Sequence, residues 1–259
     1  MKQLAKLSLI VFAAIGLALA GCDKDNPTKP SLAGVFVGEQ KAMGNGTAQS
    51  WVSWDDNGNP NAIGVTFTEG ALSNLPSGQF GATYDLVLPP QAAATPFNHI
   101  RFDWNPEGHD PAPIYGHPHF DIHFYMISRQ ERATIAAGPD FTPVEPQYIP
   151  RDYGVDFPFA VPDMGVHWGD STAAEWHGHH FDKTLIYGFY KGKMIFVEPM
   201  ITKAFLETKP NVTEAIKQPA AYQKTNMHYP MQYSVKFDAG KKEYSITLEG
   251  LAMGRSERR

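Results

Sequence analysis

The sequence predicts a mainly β protein folded as a single antiparallel sandwich or barrel. Ten segments alternate apolar and polar residues with the period of two that is typical of strands, and short turn sequences separate several of them. Gly and Pro supply 23 and 21 of the 259 residues, about 17% of the chain against roughly 12% in average proteins. Charged residues make up only 19%. This composition argues against disorder, coiled coils and helical bundles.

The predicted strands follow one another at the spacing of hairpins. They cover residues 35–37, 49–54, 62–68, 84–88, 99–104, 118–127, 184–190, 193–198, 232–237 and 243–248. Turn sequences at Asp55–Pro60, Lys191–Gly192 and Asp238–Lys241 join three pairs of them. Short strands in this number are typical of a sandwich, a jelly roll or a barrel.

Helices are expected to be few and short. Ser128–Glu131 matches a capping box, and Gly138–Pro139 is expected to end that helix. One or two further short helices are expected in residues 200–217, where clean alternation is lost. Residues 138–182 contain six prolines, and their Tyr, Phe and Trp content predicts a long ordered loop.

The N-terminus predicts export and lipid anchoring. Lys2 and Lys6 precede an apolar run too short to span a bilayer well, which is typical of a signal peptide over residues 1–21. The run ends in Leu-Ala-Gly-Cys22, which resembles the lipobox of bacterial lipoproteins. We therefore expect a lipidated Cys22 with a flexible tether over 22–31, and one β-rich domain over 32–259. The protein would lie in the bacterial cell envelope outside the cytoplasm, with the lipid bilayer as a partner and the choice of inner or outer membrane open. An ordinary signal peptide with an incidental Cys is the alternative.

Composition and motifs exclude several other chemistries. A net charge of −5 without a basic run argues against nucleic acid as a partner. Cys22 is the only cysteine, so the predicted domain has neither a disulfide nor a reactive thiol. The chain also lacks a Gly-rich phosphate loop and a G-x-S-x-G nucleophile motif.

A histidine-rich segment carries the strongest chemical signal. In the predicted strand that contains it, His117, His119, Asp121 and His123 alternate with Pro118 and three apolar residues, so the four would project from one face. Imidazole and carboxylate ligands held on one strand face suit zinc, iron, manganese or copper. The pattern predicts a site for one divalent transition metal, with Asp121 either as a ligand or as a hydrogen-bond partner of an imidazole.

The remaining ligands must come from elsewhere in the chain. His167 at the end of the long loop and Glu198 at the end of a strand complete a predicted set with His119 and His123. Three His and one Glu leave a position for water or for a small-molecule ligand, as catalysis requires. In a hydrolase or oxygenase Asp121 or His177 would act as the base. Further ligands are available from a second histidine cluster that includes His179 and His180.

Two other classes of function stay open. In a binding module, the same residues would capture a metal or a small ligand without turnover. In a structural protein, the histidines would complete hydrogen bonds at a pocket or at the interface of a homo-oligomer.

Several long motifs resemble those of a bacterial family of unknown function whose members are secreted or lipid-anchored, at least one of them stress-regulated. The motifs are PHFDIHFYMI (118–127), MGVHW (164–168), IYGFY (186–190) and FVEPMIT (196–202), and the resemblance extends from about Gly44 to about Phe205. It implies a β-rich, oligomeric protein without an established activity. It also implies functional roles for His119, Asp121, His123, His167 and Glu198, whereas His117 and the 177–180 cluster look particular to this chain.

The set of three His and one Glu is also similar to that of cupins, which hold a metal inside a small barrel. Cupins run His-x-His, Glu and a distant His, whereas this chain runs His-x₃-His, His167 and Glu198. The ligand set is therefore similar while the order differs. An α-type carbonic anhydrase also carries His-x-His on a strand, but its motif for the third His is absent here.

Overall fold

The computed structural model describes residues 33–78, 81–155 and 158–255. Two antiparallel sheets of these residues pack face to face as a sandwich, which confirms the predicted fold class. The sheets do not close into a barrel in the described part of the chain. The predicted signal peptide, Cys22 and the tether lie outside the described residues.

The described residues form seventeen strands. In chain order they are β1 (Gly34–Met43), β2 (Gly46–Trp54), β3 (Pro60–Thr68), β4 (Ala82–Val87), β5 (His99–Asn105), β6 (His119–Tyr125), β7 (Gly138–Pro139), β8 (Tyr153–Gly154), β9 (Phe159–Ala160), β10 (Val166–Asp170), β11 (Lys183–Tyr190), β12 (Lys193–Thr202), β13 (Asn211–Ala215), β14 (His228–Tyr229), β15 (Gln232–Asp238), β16 (Glu243–Glu249) and β17 (Ala252–Met253).

Two large sheets hold most of these strands. The first has the order β1-β2-β3-β16-β15-β13 and the second the order β4-β5-β6-β12-β11-β10-β8. Strand β6 therefore lies inside the second sheet between β5 and β12, and every one of its residues is buried. Two further pairs, β7 with β9 and β14 with β17, are two residues long in each strand.

Three α-helices are present in the described residues, each four or five residues long. They are α1 (Ala112–Tyr115), α2 (Arg129–Arg132) and α3 (Lys203–Glu207). None of the described helices has the length and apolar character needed to cross a membrane.

The main core lies between the two large sheets. Phe120, Ile122 and Phe124 of β6 point into it, and Phe67 of the first sheet stacks on Tyr244 there with 5.2 Å between ring centroids. The opposite face of the second sheet carries a smaller apolar cluster. Because segments between the strands cover that face as well, the polar side chains of β6 are enclosed rather than exposed to solvent.

The local predictions succeed where short-range signals are strong. Ser128 forms the predicted capping box with Glu131, but α2 ends at Arg132, well before Gly138, which pairs as a strand. One of the short helices expected in residues 200–217 is present as α3, and the later part of that range forms β13, which pairs with β15. The described part of the predicted long loop includes the short strands β7 to β10.

Candidate functional site

The outward face of the second sheet carries a grid of polar side chains. Across the β5–β6 pair, Arg101 lies opposite His123, Asp103 opposite Asp121, and Asn105 opposite His119. Polar and apolar side chains alternate along β6 as the sequence predicts, since the apolar residues between these positions point into the main core. The register therefore brings basic, acidic and amide groups together on one covered surface.

The Glu198 cluster consists of His123, His167 and Glu198. One potential ligand atom from each residue lies within 4.8 Å of the others. Glu198 Oε1 is 3.3 Å from His123 Nε2, and Glu198 Oε2 is 3.7 Å from His167 Nε2. The side chains of His123 and Glu198 are 0% and 1% exposed, whereas that of His167 is 29% exposed.

Three strands position this cluster around an aromatic ring. His123 belongs to β6, Glu198 to β12 and His167 to β10, and Phe196 packs against both imidazoles at 4.8 and 5.3 Å between ring centroids. The Phe196 ring lies over Gly188 of β11, where a Cβ would come within 2.1 Å of it. Only glycine at this position leaves room for the ring that orients the two histidines.

Electrostatics in the Glu198 cluster favour neutral imidazole and disfavour an isolated carboxylate. Burial, reinforced by His123, lowers the pKa of His167 to about 3. Burial and the nearby carboxylates of Asp121 and Asp103 raise the pKa of Glu198 well above its usual range. His123 Nε2 and Glu198 Oε2 are buried and have no hydrogen-bond partner. A cation between the three side chains would stabilise the carboxylate of Glu198 and would give each unpartnered lone pair a partner.

Asp103 lies next to the Glu198 cluster, beside the imidazole of His123. Its Oδ2 lies 3.4 Å from His123 Nδ1, on the side of the ring away from Glu198. Arg101 Nε donates to Asp103 at 2.9 Å, and Thr83 Oγ1 donates to it at 2.5 Å. His123 Nδ1 makes no hydrogen bond to Asp103 across the 3.4 Å that separate them, so the carboxylate acts on the imidazole through its charge. A carboxylate beside the far nitrogen of an imidazole is a common arrangement at metal-binding histidines.

The Asp121 cluster consists of His109, His119 and Asp121, whose potential ligand atoms also lie within 4.8 Å of one another. His119 Nε2 is 3.1 Å from Asp121 Oδ1, and His109 Nε2 is 3.3 Å from Asp121 Oδ2. Burial raises the pKa of Asp121, but His119 and His109 outweigh it and bring that pKa well below its usual range. The predicted ligand set joins His119 to the residues of the Glu198 cluster around one ion, whereas the structure separates them into two groups.

A cleft of about 1120 Å³ connects the two clusters. Its lining includes Arg101, His109, Asp121, His167 and Trp176. Each cluster therefore presents at least one ligand residue to the same opening, while His119, His123 and Glu198 lie behind it with at most 1% of each residue exposed. The volume is sufficient for a small organic ligand.

The other predicted site residues lie outside both clusters. His117 precedes β6, is exposed, and stacks on His180 with 5.2 Å between ring centroids. His177 lines the cleft and places Nε2 3.0 Å from the carbonyl oxygen of Ser171. His179 is exposed. The predicted face of four residues on β6 thus begins at His119, because the strand itself begins there.

Several residues of the site were missed. Arg101, Asp103 and Asn105 alternate on β5 in the same way as the residues of β6, so the pattern that identified one strand was also present in the other. Nothing in the sequence context of His109 indicates that it lies beside Asp121. Its position depends on the path of the chain between β5 and β6.

The fold and the two clusters define a class of protein, a mainly β sandwich with histidine and carboxylate groups that could hold metal beside a cleft. Residues 55–104 are similar to the family described as TTHB210-like, hypothetical protein TTHB210. This segment extends from the turn after β2 into β5 and includes Arg101 and Asp103, but no member of either cluster. Searches of curated proteins and of solved structures found no match to the chain. The resemblance read from residues 118–127 and the similarity to cupins stay predictions.

Proposed function

We propose that this protein binds one divalent transition metal through the Glu198 cluster and accepts a small-molecule ligand in the adjacent cleft. The observation that carries the proposal is that three potential ligand atoms, from three different strands, lie close together. Two of the three side chains, those of His123 and Glu198, are almost completely buried. Buried ionisable groups are seldom left without hydrogen bonds unless an ion or a proton satisfies them. His123 Nε2 and Glu198 Oε2 are two such buried atoms without a hydrogen-bond partner.

The donor set indicates which metals fit. Two imidazoles and one carboxylate suit zinc, iron, manganese and copper, and the described cluster contains no thiolate that would select a softer ion. Two His and one carboxylate with room for further ligands is a combination found in both zinc hydrolases and iron oxygenases.

The partial exposure of His167 at the cleft favours an enzyme as the second candidate function. Three protein ligands are fewer than the four of a closed structural zinc site, so a bound ion would keep a position for water or substrate. In a metal-dependent hydrolase or oxygenase, the bound metal would polarise a substrate oxygen or activate water. His177 and Asp121 both line the cleft and are the candidates for the base.

Metal content of the full chain, purified in detergent without an affinity tag, tests the proposal. After removal of metal with a chelator, isothermal titration with zinc is expected to show binding that His167→Ala and Glu198→Gln each abolish at this site. A double variant, His179→Ala with His180→Ala, is the matched control, since both side chains are exposed outside the clusters. Unchanged binding in His167→Ala and Glu198→Gln would overturn the assignment and favour histidines that only complete a pocket or an oligomer interface.

We further propose that the chain is anchored in the cell envelope through an acylated Cys22. The lipobox-like sequence before Cys22 supports this proposal. Cys22→Ser is expected to abolish incorporation of labelled palmitate and to move the protein out of the membrane fraction. Retention of both properties in the variant would contradict lipid anchoring.

A further inference from the structure

We propose that the Asp121 cluster is a second cation site, which takes a divalent transition metal independently of the Glu198 cluster. His109 and Asp121 line the cleft with His119 directly behind them, and no residue is shared between the two clusters. The proposal does not depend on metal binding by the Glu198 cluster.

The hydrogen bonds of His119 determine which of its nitrogens is free. Its Nδ1 lies 2.6 Å from the backbone carbonyl oxygen of His117. A carbonyl oxygen has no proton, so Nδ1 must carry the hydrogen and donate it. In a neutral imidazole Nε2 then carries a lone pair, and this atom faces Asp121 Oδ1 at 3.1 Å.

His109 is arranged in the same way. Its Nδ1 lies 2.8 Å from the carbonyl oxygen of Asp110, so it also donates from Nδ1 and presents the lone pair of Nε2. That nitrogen lies 3.3 Å from Asp121 Oδ2. Two backbone carbonyls therefore orient two imidazoles so that both free nitrogens point at one carboxylate. In metal-binding histidines the nitrogen away from the metal usually donates to a carbonyl or carboxylate in this way.

The centre of the cluster lacks donors of its own. His119 Nε2 and Asp121 Oδ1 are buried and have no hydrogen-bond partner, although they lie within 3.1 Å of each other. Asn105 Nδ2 donates to the other oxygen of Asp121 at 2.7 Å and so holds the carboxylate in place without occupying Oδ1. Two lone pairs this close in a buried site repel each other unless a proton or a metal cation lies between them.

The two clusters are separated along β6. His119 and His123 are four residues apart in one strand, a distance of about 13 Å between their Cα atoms at the usual rise per residue. Their side chains cannot ligate one ion in this extended conformation. Each cluster therefore completes its ligand set with residues from other segments, His109 in one case and His167 with Glu198 in the other.

Titration of the full chain with Co²⁺, followed by calorimetry and visible absorbance, tests the proposal. The metal-free protein is expected to bind two equivalents, and Asp121→Asn is expected to remove one of them together with its absorption bands. His109→Ala is the second variant, because its partly exposed side chain can be removed without opening the core. His117→Ala is the matched control, since it keeps the carbonyl that accepts from His119 and removes only an exposed ring.

Each outcome separates the two proposals. One equivalent that is lost in His167→Ala and kept in Asp121→Asn would overturn the second site and leave the Glu198 cluster. One equivalent that is lost in Asp121→Asn and His109→Ala but kept in His167→Ala would support the second site and overturn the first. Absence of Co²⁺ binding would overturn both, and a protonated His119 paired with Asp121 would then account for the close contact.

Discussion

His123 and Glu198 face each other on neighbouring strands of the second sheet, with 3.3 Å between Nε2 and Oε1 and almost no exposure of either side chain. The strands place these groups before any ion arrives, because their directions follow from the pleat and from the packing of Phe196 against His123. A metal that bound at the proposed site would not require the backbone to reorder, which would lower the entropic cost of binding.

Zinc bound by the Glu198 cluster should raise the thermal stability of the wild-type protein. The Glu198→Gln variant should lose this part of the stabilisation. A ligand at one hundred times its dissociation constant raises the free energy of unfolding by about 2.7 kcal/mol. Thermal melts with zinc and with a chelator are expected to differ for wild type and to differ less for Glu198→Gln. Glu175→Gln is the control, since Glu175 is also buried with an unpartnered Oε1 but belongs to neither cluster. An equal zinc-dependent shift in wild type and Glu198→Gln would contradict the assignment.

Asp103→Asn should weaken metal binding without removing a ligand. Loss of a carboxylate behind a metal-binding imidazole typically costs 10- to 100-fold in affinity, roughly 1 to 3 kcal/mol. Calorimetry would measure the change. Asp85→Asn is the matched control, because Asp85 also pairs with an arginine, Arg132, on the same sheet face but does not contact His123. A similar loss in both variants would point to a general structural effect instead.

Gly188→Ala should disturb both the fold and the Glu198 cluster. Its Cβ would lie 2.1 Å from the ring of Phe196, so the ring or the strand must shift, at a cost of about 1 to 3 kcal/mol. Urea unfolding would measure the loss, and zinc titration would show weaker binding. Gly169→Ala in the neighbouring strand is the control, since the nearest atom to its Cβ would be 3.7 Å away. Equal stability of the two variants would refute this account of the packing.

Stability should fall in acid because His99 is held neutral. His99 is 1% exposed, accepts a hydrogen bond from Arg132 at 2.9 Å, and donates from Nδ1 to Asn98. Burial, followed by the charge of Arg132, lowers the pKa of His99 to about 4 from the reference value of about 6.5. Between these two pH values the unfolded chain binds a proton that the folded chain does not, so the free energy of unfolding falls as the pH falls.

The variant His99→Gln isolates this effect. Glutamine keeps an acceptor for Arg132 and does not titrate, so the slope of unfolding free energy against pH should decrease by up to about 1.4 kcal/mol per unit between pH 6.5 and 4. Urea unfolding at several pH values in the presence of a chelator would measure both slopes. Identical slopes for wild type and variant would show that His99 does not contribute.

Much of the fold could be predicted from the sequence because its signals are local. Alternation identified ten segments that form strands, and the side chains of Phe120, Ile122 and Phe124 had to point into a core since the opposite choice would expose them. The capping box at Ser128 also acts within four residues. Residues 200–217 were predicted to hold one or two short helices and contain α3, but β13 in the same range was not foreseen, because that strand depends on pairing with β15.

In the candidate site, too, some features follow from local sequence and others depend on contacts between distant segments. Alternation along the chain is enough to place His119, Asp121 and His123 on one face of a strand, because side-chain direction has a period of two. The grouping of His123 with His167 and Glu198, and of His119 with His109, arises only when distant segments pack together. Strand register and the path of a loop set those partnerships, and both depend on contacts between segments that local sequence does not encode.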